Sequence, residues 1–194
     1  MPRLYSRIRK KQLYFSGGEF FVMNVILCGM MGAGKTCVGI KLSELTGMRW
    51  YDTDEMVVGK YGKIADIFEY YGEPHFRTLE TEMVRQVAAE NDCVVSTGGG
   101  CLLRPENAYA FKESGKIVFL RTSADTVFRR VGHTGADRPL LKGAAFEKIN
   151  DLLRARTPVY EGCADFIVDT DDKTVEEIAL CIMKEFSLPQ RGQK

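Results

Sequence analysis

Gly29-Met30-Met31-Gly32-Ala33-Gly34-Lys35-Thr36 sets glycines, a lysine and a hydroxyl at a spacing that can wrap phosphate groups. The glycines let successive backbone N–H groups turn inward on the β- and γ-phosphates of a nucleotide. Lys35 brings a mobile cation, and the Thr36 hydroxyl can enter the shell of a Mg²⁺ ion. Val22–Cys28 ahead of the loop reads as a strand. Val38, Leu42 and Leu45 behind it fall at helical spacing, so the loop opens a helix whose N-terminal dipole adds to the pull on phosphate. That strand, loop and helix order separates the motif from a chance match.

Five further groups can do chemistry beside it. Asp52-Thr53-Asp54 ends a strand-like run, at the edge where open α/β sheets bind ligands. One carboxylate there can hold Mg²⁺ through water and the other can take the proton of a phosphoryl acceptor, while the plain alternative for Asp54 is a helix cap. Arg77 and Glu80 lie three apart on one helix face, where the ordinary expectation is a solvated ion pair. Thr97-Gly98-Gly99-Gly100 follows another strand and offers unhindered N–H groups to a ligand oxygen. Arg138-Pro139 and Arg154–Tyr160 supply guanidinium groups suited to bidentate grip of a carboxylate or phosphate.

The elements that must position these groups alternate along the chain. Strands are predicted at Val22–Cys28, Arg49–Asp52, Cys93–Thr97, Lys116–Arg121 and Asp165–Asp169. Between them the spacing predicts helices at Thr36–Thr46, Asp54–Lys60, Ile64–Tyr70, Pro74–Glu90, Pro105–Glu113, Ala124–Val131, Phe146–Arg156 and Val175–Phe186. Ser123 and the Thr174/Glu177 pair read as N-caps. The pattern predicts an α/β fold, three-layer αβα, with a five-stranded parallel sheet. A helical insert at about 54–91 and a Gly-rich, polar stretch at about 132–143, expected to act as a mobile lid, interrupt the alternation.

Length and composition narrow the class. The 194 residues suit one domain, expected over 23–190, and no apolar run is long enough to span a bilayer. The net charge is +1, but residues 1–23 carry +4 and the rest −3, which argues against nucleic acid as the main partner. Residues 1–22 read as a basic, disordered extension without the apolar core of a secretory signal. The six cysteines form no metal-binding or C-x-x-C spacing, which suits a reduced, cytoplasmic setting; Cys28, Cys93 and Cys181 are expected in the core. His75 and His133 have no ligand-spaced partners.

Taken in order, G-x-x-G-x-G-K-T at Gly29–Thr36, D-T-D at Asp52–Asp54, I-A-D-I-F at Ile64–Phe68, F-R-x-x-E at Phe76–Glu80, Gly98–Gly100, R-P-L-L at Arg138–Leu141 and R-x-P-x-Y at Arg156–Tyr160 resemble the shikimate kinase family. The family lies within the P-loop kinases of nucleoside-monophosphate-kinase type, and the resemblance runs from about Val22 to Phe186. It implies ATP-dependent phosphorylation of the 3-hydroxyl of shikimate, with Mg²⁺, in aromatic amino-acid biosynthesis. It also implies roles. Arg77 and Arg156 would clamp the shikimate carboxylate, Asp54 would hold ring hydroxyls, and the Gly98, Gly99 and Gly100 backbone would line the substrate. Lys35 and Arg138 would neutralise charge on the transferred phosphoryl, and Thr36 and Asp52 would serve the metal. Gly32, Ala33, Gly34, Cys37 and Arg130 would complete the nucleotide site, Arg130 by stacking on adenine.

Departures from the family pattern are a thiol at Cys37 in place of a second hydroxyl, Val58 in place of a common Glu, and a lid one residue longer than in some relatives. A monomer is the default expectation. Two alternatives share the loop: another small-molecule kinase acting on gluconate or a nucleotide, and a non-catalytic nucleotide-binding regulator.

Overall fold

The computed structural model describes residues 14–16, 19–21, 23–132 and 146–191. Five parallel strands, β3 (Asn24–Cys28), β4 (Arg49–Asp52), β5 (Cys93–Ser96), β6 (Gly115–Arg121) and β7 (Phe166–Asp169), form one sheet in the order β4-β5-β3-β6-β7. β3 pairs with both β5 and β6, and all of its residues are buried, as a strand covered on both faces requires.

Alternation along β3 divides the core. Val25 and Leu27 face α1 (Lys35–Thr46) and α7 (Val175–Glu185), packing with Val38, Leu42, Ile178 and Ile182. Ile26 and Cys28 face the other layer, with Val84, Phe111 and Tyr160 from α3 (Ile64–Ala88), α4 (Pro105–Ser114) and α6 (Phe146–Cys163). The result is the predicted αβα sandwich. The connection leaving β3 runs outward to β4, whereas the one leaving β5 crosses back to β6, so a crevice opens at the carboxyl ends of β3 and β5.

The insert consists of α2 (Thr53–Tyr61) and α3, which has its own small core of Val57, Ile67, Phe76, Leu79 and Met83. α3 breaks at Gly72 (φ 79°, ψ 168°), just ahead of Pro74, where the sequence predicts the gap between two helices. α6 departs from expectation. It does not end at Arg156 but runs through Pro158 to Cys163, because Arg156 and Tyr160 bury on the same side and hold the turn that proline weakens. The cap at Ser123, whose hydroxyl accepts from the Thr126 N–H ahead of α5 (Ala124–Gly132), and the Thr174/Glu177 capping box are both present.

Within the N-terminal extension, read from the sequence as disordered, β1 (Tyr14–Ser16) and β2 (Glu19–Phe21) pair antiparallel. The lid beyond Gly132, with Arg138 and His133, lies outside the described residues.

Candidate active site

The glycine-rich loop leaves β3 through a tight passage. A Cβ on Gly29, whose φ is +139°, would lie 2.7 Å from the Leu120 carbonyl oxygen, so only glycine passes. Gly34 is left-handed (φ 95°, ψ 13°) and leads into α1 as its N-cap. Lys35 Nζ donates to the carbonyls of Gly29 and Met30, each at 3.0 Å, which folds the ammonium along the rim of the loop.

Thr36 Oγ1 donates to Asp52 Oδ2 at 3.0 Å, bringing a hydroxyl and a carboxylate from two elements to one point. The other oxygen, Asp52 Oδ1, accepts from the backbone N–H groups of Asp54 (2.9 Å) and Glu55 (3.4 Å). Asp52 is therefore the cap of α2, the role the plain reading gave to Asp54. Thr36 and Asp52 form a hard-oxygen pair of the kind Mg²⁺ takes alongside phosphate oxygens and water, so the residues fit that ion.

These groups border a cavity of about 390 Å³ whose walls include Gly32, Ala33, Gly34, Lys35, Cys37, Asp52, Asp54, Gly99 and Arg130. Arg130 donates to the carbonyls of Gly32 and Thr170, each at 3.1 Å, tying the loop to the segment after β7. Lys173, Val175 and Ile178 complete that end of the cavity. No sequence motif marks them; α7 and the turn ahead of it bring them in from the far end of the chain.

The three consecutive glycines run past the side chains of Asp54, Glu80, Arg156 and Arg77. A Cβ on Gly98 would lie 2.6 Å from Asp54 Oδ1. One on Gly99 would sit 3.7 Å from Arg156 Nη1, and one on Gly100 would overlap the Arg77 guanidinium. The Gly98 N–H donates to Thr53 Oγ1 at 3.0 Å, and the Gly99 carbonyl accepts from Arg156 Nη1 at 3.4 Å and from the Tyr160 hydroxyl. Burial pushes the Tyr160 phenol up to about 12, so it stays a donor.

Arg77 is gripped by Glu80 Oε2 at 2.9 Å and by Glu73 Oε1 at 2.9 Å. The expectation of a solvated Arg77/Glu80 pair does not hold. The Glu80 side chain is 0% exposed and that of Arg77 13%, because this face of α3 turns toward the glycines. Burial lifts the Glu80 carboxyl to about 7, against the pull of Arg77 and with the Asp54 charge adding to the rise.

The glycine-rich loop, the Thr36/Asp52 oxygen pair and a corner of two arginines and one aspartate thus meet at one sheet edge. The family model described as shikimate kinase matches residues 31–187. The chain belongs to the shikimate kinase family. A shikimate kinase of Thermodesulfovibrio yellowstonii is 40% identical over 172 residues, 88% of this chain and 98% of that protein. One of Geobacter metallireducens is 43% identical over 159 residues, 81% and 88% of the two chains. A solved shikimate kinase from Acinetobacter baumannii in complex with shikimate superposes with a TM-score of 0.82 at 34% identity, covering 86% of this chain and 93% of that one. As in that family's fold, the sheet is parallel and five-stranded. No helix among the described residues is long and apolar enough to cross a membrane.

Of the residues singled out from the sequence, Gly32, Ala33, Gly34, Lys35, Thr36, Cys37, Asp52, Asp54, Gly99 and Arg130 border this cavity. Arg77, Gly98, Gly100 and Arg156 adjoin it through the triple glycine. Arg138 is outside the described residues. The burial of Glu80 and the bonds of Thr53 and Tyr160 to Gly98 and Gly99 are the parts that sequence reasoning missed. The F-R-x-x-E and R-x-P-x-Y motifs carried the only signal for two of them.

Proposed function

We propose that this member of the shikimate kinase family transfers the γ-phosphoryl group of ATP to the 3-hydroxyl of shikimate, giving shikimate 3-phosphate and ADP. One observation carries the choice of acceptor: the Gly98–Gly100 backbone is bordered by Asp54, Arg156 and Arg77, with the buried Glu80 behind Arg77. Two guanidinium groups and a carboxylate around bare backbone suit a small polyol bearing one carboxylate. A nucleobase pocket would call for aromatic stacking and amide groups instead.

In this reading Arg77 and Arg156 hold the acceptor's carboxylate and Asp54 its hydroxyls. Glu80 and Glu73 fix the Arg77 fork, and Tyr160 fixes the Gly99 carbonyl. Asp54 takes the proton as the 3-oxygen bonds to the γ-phosphorus and the bond from that phosphorus to the bridging oxygen breaks, leaving ADP. The loop N–H groups, Lys35 and Arg138 balance the charge spread over the moving phosphoryl, and Arg130 covers the base. Thr36 and Asp52 would hold Mg²⁺, which supplies further neutralisation of phosphate charge. Such transfers rest on positioning and electrostatics, which is what these residues offer. Closure of the segment 132–143 would keep water from competing. The reading includes a monomer in the cytoplasm, the setting that the widely spaced free cysteines suit.

The test is ADP release from ATP and Mg²⁺ with shikimate, gluconate or nucleoside monophosphates as acceptor. Stimulation by shikimate alone is expected. Stimulation by another acceptor would overturn the roles of Arg77 and Arg156, and none by any acceptor, with ATP still bound, would favour a nucleotide-binding regulator.

A further inference from the structure

Trp50 is the single tryptophan of the chain, and its placement is not explained by packing alone. It lies on β4 two residues before Asp52, so both side chains point to the α1 side of the sheet. Its indole Nε1 donates to Ser96 Oγ at 3.0 Å, and the Ser96 hydroxyl donates to the backbone carbonyl of Lys35 at 2.9 Å. Ser96 is fully buried on β5, directly opposite Asp52 in the register, and it precedes the Thr97–Gly100 segment. A Cβ on Gly39 would come within 2.5 Å of both Trp50 Nε1 and Ser96 Oγ, so α1 carries a glycine where this relay passes.

Two rungs therefore join β4 to the first turn of α1: Asp52 to the Thr36 hydroxyl, and Trp50 through Ser96 to the Lys35 carbonyl. We infer that Trp50, acting through Ser96, is a positioning residue for the nucleotide site, setting the height of the Lys35–Thr36 turn against Asp52. A serine hydroxyl can rotate among acceptors. With the indole N–H occupying its lone pair, the Ser96 proton is directed to Lys35 O. The inference rests on the phosphate-loop part of the proposed function and not on the identity of the acceptor.

The test measures Mg·ADP binding without acceptor, by the emission of Trp50 in the wild type and by calorimetry in all proteins, together with both KM values. Trp50→Phe keeps an aromatic ring and removes the donor; Ser96→Ala removes the relay and leaves the tryptophan. Each should weaken Mg·ADP binding and raise the KM for ATP about three- to tenfold, the range one net hydrogen bond spans. The KM for the acceptor should stay within about twofold. The double variant should be no worse than Ser96→Ala alone, since the two act in series. In Ser96→Ala, the emission change on adding Mg·ADP should shrink. Additive losses, equal rises in both KM values, or unchanged nucleotide binding would each overturn the inference. If Trp50→Phe does not fold, Ser96→Ala decides through the KM split and the emission change. Failure of every protein, wild type included, to bind Mg·ADP would instead refute the nucleotide site itself.

Discussion

Asp54 Oδ1 and Glu80 Oε1 approach Gly98 from two helices, each 2.6 Å from where a Cβ on that glycine would stand. Two carboxylates thus converge on one hydrogen-sized gap. Gly98→Ala cannot be relieved by a free swing of Glu80, which is fully buried, and any retreat of Asp54 moves the group proposed to take the proton. Phosphoryl transfer should fall by at least about a hundredfold, in line with the cost of a small misplacement of reacting groups, while nucleotide binding holds. Steady-state assays alongside ADP titration check this.

Glu80 also makes stability depend on pH. Its folded value of about 7 lies above the ordinary 4.5, because burial disfavours the charged form. The folded state therefore holds this proton more tightly than the unfolded state. The contribution is complete below about pH 4.5 and is lost as pH rises through 7, a change of about 3 kcal/mol. Urea denaturation of the wild type and of Glu80→Gln between pH 5 and 8, in the order of rising pH, should show the wild type losing ground to the variant. A constant difference would contradict the assignment.

Asp52 divides its two oxygens between structure and chemistry, and two variants separate them. Asp52→Asn keeps an oxygen that can cap α2 but removes the charge beside Thr36, so stability should hold while the Mg²⁺ concentration for half-maximal rate rises several-fold. Asp52→Ala should show the same metal effect and also lose about 1 kcal/mol of stability with the cap. Thermal unfolding and Mg²⁺ titration of activity distinguish the two.

Gly100→Ala tests the acceptor clamp from the other side. The added methyl overlaps the Arg77 guanidinium, which is held between Glu73 and Glu80 and has little room to retreat. The KM for shikimate should rise at least about tenfold, the weight of one displaced charge-assisted contact, and the KM for ATP should not follow.

Tyr160→Phe removes the hydroxyl bound to the Gly99 carbonyl without opening the core around the ring. Arg156 Nη1 remains near that carbonyl at 3.4 Å. A stability loss of about 1 to 2 kcal/mol is expected in chemical denaturation. The alkaline limb of the rate profile should not move below about pH 10, because the buried phenol keeps its proton to about 12.

The parts of the site readable in the sequence were those built from contiguous residues. Gly29–Thr36, Asp52–Asp54 and Gly98–Gly100 each sit at the end of a strand whose apolar run announced it, and the break near Gly72 was signalled by the glycine and Pro74. What stayed hidden depends on which strands become neighbours. The adjacency of β4 and β5 puts Trp50 beside Ser96, and nothing local to either residue reports it. The same holds for Glu80. An Arg and a Glu three apart look alike on a wet or a dry helix face, and only the docking of α3 against Gly98–Gly100 decides between them. A helix ending at Arg156 is what Pro158, a helix breaker by itself, predicts, whereas the burial of Tyr160 that carries α6 onward is a property of the assembled layer.

The ammonium of Lys35, resting on the carbonyls of Gly29 and Met30, makes the loop electrically self-compensating. In the proposed nucleotide site, binding would exchange these two carbonyl contacts for phosphate oxygens, so the lysine's resting place sets a cost that the incoming phosphates must offset.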